Sequence, residues 1–194
     1  MSKRLYLAGK IRKNDWRHTI CPGLREVSQI QGNHVLNAFT DSDMPDWEEY
    51  DIPALGGAWT YVGPYFSGCD HGCTHGLRNP GHAITGGCIL DATRSKDWAH
   101  QTGYRNWVQA QCLEAIRRCD VFFAWIDNTT AYGTLTEIGY AKGIGKKTVV
   151  ASAQGESYGL EGELDNLWFA FEMADTTIFR NSPKAALQAL DHRW

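Results

Sequence analysis

Asp120-Val-Phe-Phe-Ala-Trp-Ile-Asp127 is the stretch on which the fold turns. From Val121 to Ile126 every residue is apolar, so no side of the segment is left for water. A strand of a one-sided sheet alternates, whereas an unbroken run suits a parallel strand covered on both faces. Upstream, Val108, Cys112, Ala115, Ile116 and Cys119 recur at helical spacing and predict a helix over 104–119. Downstream, a polar turn precedes a predicted helix from Thr134 to Gly143, and Gly145-Lys146-Lys147 leads into a strand over 148–151. Further out, residues 4–8 read as a strand ending at Gly9. A helical stretch over 14–30 follows, interrupted at Cys21-Pro22-Gly23, and residues 34–39 read as a second strand. Residues 160–174 read as helix, 176–179 as a short strand, and 183–190 as a closing helix with Pro183 near its first position. Alternating strands and helices predict an α/β fold: an open, mostly parallel five-stranded sheet with helices on both faces. Ligands on such sheets sit beyond the carboxyl ends of the strands, here after residues 8, 39, 126 and 151.

One segment breaks the rhythm. Between about 40 and 102 lie Trp47, Trp59 and Trp98, four of the seven histidines (71, 75, 82 and 100) and many glycines. So long an excursion without clear elements is functional or disordered, and its aromatic content favours an ordered, functional one. A single domain over 1–194 is expected, with this excursion inside it.

Composition narrows the function. The 194 residues carry 19 Lys+Arg against 22 Asp+Glu, a formal charge of −3. Nucleic-acid polymers and anionic membranes call for a cationic excess, so neither is expected as a partner. No apolar run approaches the length of a membrane span. The apolar run after the basic start is too short for a signal peptide, which gives a cytoplasmic expectation. In that compartment the six cysteines (21, 69, 73, 88, 112 and 119) are expected as thiols.

Three motifs could carry chemistry. In Tyr6-Leu-Ala-Gly9-Lys10-Ile11-Arg12 a strand ends at glycine and basic residues precede a helix. Gly9 permits close backbone approach, and Lys10 and Arg12 suit an anionic or sugar-bearing ligand, with Ile11 between them a further candidate binding position. A plain turn with solvated charges is the alternative. In Asp127-Asn-Thr-Thr-Ala-Tyr132-Gly133-Thr134-Leu-Thr-Glu137, a polar turn leads into a helix expected near Thr134. Glu137 then falls in the first helical turn, where the dipole favours a carboxylate. The same spacing is also a capping box, with Thr134 as N-cap and Glu137 at N3. The third motif is Cys69-Asp70-His71-Gly72-Cys73-Thr74-His75. Its Cys/His spacing lacks the paired form of structural zinc sites, so no metal is expected. Asp70, His71 and His75 among glycines instead suit a loop that reaches a ligand. Trp168 and Phe169 read as core or interface aromatics.

The run Tyr-Gly-Thr-x-x-Glu-Ile-Gly-Tyr-Ala-x-x-x-Gly-Lys over 132–146, with the opening Tyr-Leu-Ala-Gly, resembles the nucleoside 2-deoxyribosyltransferase family and its nucleotide N-glycosidase relatives. The resemblance implies a flavodoxin-like (Rossmann-like) sheet and cleavage of, or transfer across, the N-glycosidic bond of a nucleoside or nucleotide. It assigns the nucleophile's role to Glu137. Asp127 and the 69–75 loop become candidates for acid–base and base-binding roles. Gly9, Lys10, Arg12, Tyr132, Gly133 and Thr134 would surround the sugar or a 5′-phosphate. No cofactor is implied, and a homo-oligomer is, since the family builds its sites near subunit interfaces. Two carboxylates of the transferases are replaced here, by Cys112 and Ala131. Base exchange would then need its proton from Asp127, Asp70 or a histidine, whereas simple cleavage fits the glycosidase relatives. The alternatives are an NAD-type nucleotide glycohydrolase and a catalytically silent nucleotide-binding sensor.

Overall fold

The computed structural model describes residues 2–11, 15–21, 50–64, 109–153 and 165–191. The chain divides into two compact units. The first holds Met1–Lys10, Asp51–Pro64 and Leu113–Trp194, and contains the sheet. The second holds Ile11–Tyr50 and Tyr65–Cys112.

Five strands form the body of the sheet: β1 (Lys3–Gly9), β3 (Trp59–Gly63), β4 (Val121–Ile126), β5 (Lys147–Ser152) and β6 (Thr176–Phe179). The two-residue strand β2 (Tyr50–Asp51) lies at one edge, giving the order β2-β3-β1-β4-β5-β6. All four pairings among the five longer strands are parallel. This is the flavodoxin-like arrangement, with β1 central and the chain winding outward to both sides. The predicted strand at 34–39 lies outside the described residues. The neighbour of β1 on that side is Trp59–Gly63, a segment the sequence reading assigned to the irregular excursion.

Helical segments alternate with the strands along the described residues. Helix α1 is Arg17–Ile20, and α2 is described over 109–118. Helix α3 is Tyr132–Gly143, α4 is Trp168–Glu172 and α5 is Pro183–Asp191. A 3-10 turn, Pro53–Leu55, precedes β3.

Burial confirms the two-sided cover that the apolar run implied. Every residue of β4 is buried, as are Leu5 to Gly9 of β1. Side chains alternate along a strand, and residues in parallel register share a face. Tyr6, Phe122 and Thr148 are therefore aligned on one face, where the Tyr6 and Phe122 rings stack with centroids 5.4 Å apart.

Two lysines pin the elements that flank β5. The Lys146 ammonium donates to the carbonyls of Arg117 and Cys119, the latter at 2.8 Å, and so closes the carboxyl end of α2. Burial pushes the neighbouring Cys119 thiol up to about 12, against the pull of Lys146, so it stays protonated as a small core residue. Lys142 on α3 donates to Asp175 at 2.5 Å, and Asp175 also accepts the Thr148 N–H at 2.8 Å. Desolvation works against ionisation of Asp175, but these two donors outweigh it and hold its carboxyl below the usual value. A depressed carboxyl stabilises the fold at neutral pH and loses that contribution as acid titrates the folded state. We expect Asp175→Asn to lower Tm at pH 7 and to flatten the acid limb of Tm against pH below roughly 4. An unchanged acid limb in that variant would remove Asp175 from the stability account.

Candidate active site

The site is built where β1 and β4 end and α3 begins. Gly9 closes β1 with φ 150°, a backbone value favouring glycine. Lys10 follows it and donates from Nζ to Thr130 Oγ1 at 2.7 Å. Thr130 in turn gives its hydroxyl and its backbone N–H to Asn128 Oδ1, at 2.8 and 2.9 Å. Asn128 Nδ2 donates to Asp127 Oδ1 at 3.1 Å. The donors all point the same way, from the Lys10 cation to the Asp127 carboxylate. The relay ties the turn after β1 to the turn after β4. It is exposed, so its weight is in geometry more than in stability.

Helix α3 starts earlier than its sequence predicts. Ala131 occupies the N-cap position with no side-chain cap bond, and Leu135 N–H donates to the Ala131 carbonyl at 3.1 Å. Thr134 is thus the third helical residue and is buried. Glu137 is the sixth, in the second turn and not the first. The capping box is therefore not formed, and the dipole argument for Glu137 is weaker than the sequence suggested.

Glu137 has another partner. Its Oε1 accepts a hydrogen bond from the Tyr6 hydroxyl at 2.5 Å, across 131 residues of sequence. Tyr6 is fully buried, and its ring is locked on Phe122. A rigid phenol thus holds one oxygen of a half-buried carboxylate, in the short, charge-assisted class of hydrogen bond. This arrangement can hold the carboxylate toward an electrophile in a fixed direction.

The remaining predicted residues divide plainly. Gly133 is exposed, and a Cβ built on it meets nothing within 4 Å. Tyr132 is 71% exposed. Ile11 is half-buried and belongs to the second unit. Arg12, Asp70, His71 and His75 lie outside the described residues. Trp168 and Phe169 are not core: they are 54% and 61% exposed and meet edge to face. Sequence reading missed Tyr6, Asn128 and Thr130 as parts of the site. The Asn and Thr in a turn just after a buried strand were the available signal for the last two.

Since packing makes no demand for glycine at 133, we expect Gly133→Ala to leave Tm unchanged or raised, by up to about 1 kcal/mol of helix propensity. If a ligand lies against the start of α3, the same change should raise KM. A variant with wild-type KM would mean that no ligand passes there.

Among the described residues no helix is long and apolar enough to cross a membrane. The model of the nucleoside 2-deoxyribosyltransferase family matches residues 65–170. Among solved structures, the Clostridium botulinum CMP N-glycosidase BcmB is similar at 30% identity, over 45% of this chain and 74% of its own, with a TM-score of 0.36. No curated protein matches the chain.

Proposed function

The chain belongs to the nucleoside 2-deoxyribosyltransferase family, and from that premise we propose that it cleaves the N-glycosidic bond of a nucleoside or nucleotide with Glu137 as nucleophile. The observation that carries the reading is the Tyr6–Glu137 hydrogen bond, within the motif that bears the family resemblance.

The proposed course is a double displacement. One Glu137 oxygen attacks the anomeric carbon as the bond to the base breaks, through an oxocarbenium-like state. The departing base leaves with the bond's electron pair and takes a proton from an acid. Asp127 is the candidate within the described residues, and Asp70, His71 and His75 are candidates outside them. The glycosyl ester is then opened by water, giving free sugar and regenerating the carboxylate, or by a second base, giving a new nucleoside. Ala131 and Cys112 stand where the transferases carry carboxylates, which favours water as the acceptor.

Lys10 reaches the turn after β4 through its bond to Thr130, and with Arg12 it suits a 5′-phosphate. In this reading Gly9, Tyr132, Gly133 and Thr134 bound the sugar. The protein acts in the cytoplasm as a homo-oligomer without a cofactor, and the exposed Trp168–Phe169 pair suits a subunit contact.

The test is a panel of nucleosides and nucleotides, deoxy and ribo, assayed for free base with and without an acceptor base. Base release without an acceptor supports hydrolysis, and release only with one supports transfer. Release of nicotinamide from NAD alone would replace the reading by a nucleotide glycohydrolase. Tight nucleotide binding with no release from any member would replace it by a sensor.

A further inference from the structure

The ring of Tyr6 occupies space that only a glycine could leave open. Along β1 and β3 the register runs Lys3 with Trp59, Arg4 with Thr60 and Leu5 with Tyr61, and then slips so that Tyr6 faces Gly63. An unbroken ladder would set Val62 opposite Tyr6. The bulge passes over Val62 and delivers a glycine in its place, the kind of local irregularity that re-aims side chains beside functional sites.

The fit is tight. A Cβ on Gly63 would lie 2.6 Å from Tyr6 Cε2, 2.7 Å from Cδ2 and 2.9 Å from the Ala115 Cβ. Such distances require something to move. The tyrosine ring is rigid and fully buried, and Phe122, also fully buried, stacks on it from the β4 side. The Phe122 stack resists rotation of the ring about its own axis, so relief comes by shifting the whole ring, which carries its hydroxyl away from a hydrogen bond that is already at 2.5 Å.

We propose that Gly63, set opposite Tyr6 by the bulge in β3, is a positioning residue for Glu137, keeping open the slot that holds the Tyr6 hydroxyl on the carboxylate. This rests on Glu137 as the reacting carboxylate. Gly63 touches no reacting atom and acts only through Tyr6. A methyl at 63 lifts the ring, frees the carboxylate from its donor, and leaves the ligand contacts in place.

The test is a double-mutant cycle in the full chain, with base release as the readout and Tm recorded for each variant. Gly63→Ala should lower kcat by on the order of tenfold to a hundredfold at unchanged KM, as expected of a small misplacement at the reacting centre. In a Tyr6→Phe background the same substitution should cost nothing further, because the hydroxyl is already gone. Equal losses in both backgrounds, or no loss in either, would overturn the proposal. A readout independent of turnover is the ring signal of 13C-labelled Tyr6, assigned by its disappearance in Tyr6→Phe. It should move in Gly63→Ala in the same sense as in Glu137→Ala, which removes the acceptor, and an unmoved signal would also overturn it. Full activity of Glu137→Gln with a shifted Tyr6 signal in Gly63→Ala would instead remove the nucleophile and leave the slot as structure. Should Gly63→Ala not fold, Gly63→Ala/Phe122→Leu gives the ring room to retreat and carries the same forecast. Failure of that variant to fold as well would make Gly63 a packing requirement and end the proposal.

Discussion

Glu137→Gln should reduce base release by several orders of magnitude while the protein melts within about 1 kcal/mol of wild type. The two halves of that forecast have separate causes. An amide cannot capture or stabilise a cationic anomeric carbon, so the chemistry stops. The amide keeps a carbonyl oxygen that can still accept the Tyr6 hydrogen bond, so the packing around the ring persists. The stability half also follows from the helix geometry: Ala131 is the N-cap and Glu137 lies in the second turn, so no cap is lost. With a slow 2′-fluoro substrate, the wild type should gain the mass of one glycosyl group and the variant should not. Base release by Glu137→Gln at near wild-type rate would end the nucleophile assignment.

Asp15→Ala should be the most damaging single change to stability among the charged residues described. Asp15 and Arg17 have fully buried side chains. The Arg17 guanidinium donates to both Asp15 oxygens at 2.8 Å, and its backbone N–H adds a third bond at 3.0 Å. Trp16 lies over the same guanidinium, 4.6 Å from ring centroid to Cζ. Removing one partner of a buried pair leaves an uncompensated charge and costs about 3–5 kcal/mol. Removing both is milder, since a buried pair repays little more than its own desolvation. Asp15→Ala/Arg17→Met should therefore melt well above Asp15→Ala, by thermal or urea unfolding. A double variant no better than the single one would show that the guanidinium is held by other groups.

The parts of this architecture that announce themselves in sequence are those governed by local pattern. β4 is an unbroken apolar run, and β5 and β6 follow at the spacing of a parallel sheet. The structure places all three within two residues of expectation. β3 escaped notice because Trp-Thr-Tyr-Val-Gly is five residues long and sits among glycines and prolines, where turn signals dominate. Helix α3 was started two residues late because Gly133 reads as a boundary, although here it lies inside the helix. At the site, Glu137 was legible from its motif. Its partner was not, because the bond joins residues 131 apart and depends on two strands lying in register. The exposure of Trp168 and Phe169 was hidden for a related reason: a five-residue helix has too little periodicity to show which side faces water.

The place of β1 in the middle of the sheet has a consequence for how the chain reaches this state. Its backbone pairs with β4 from Leu5 against Val121 onward, and just before that the Arg4 N–H meets Asp120 Oδ2, 116 residues further along. At translation rates of roughly 5–20 residues per second, about 6–23 s separate synthesis of the two. For that time Leu5 to Ala8, wholly buried in the finished sheet, has no β4 to pair with. Although it precedes the other strands of the sheet in the chain, β1 is not enclosed on both edges until β4 is complete. Fragments that stop short of Ile126 should therefore expose an unpaired apolar strand and aggregate, and the yield of the intact chain should respond to holdase chaperones during synthesis more than to conditions after release.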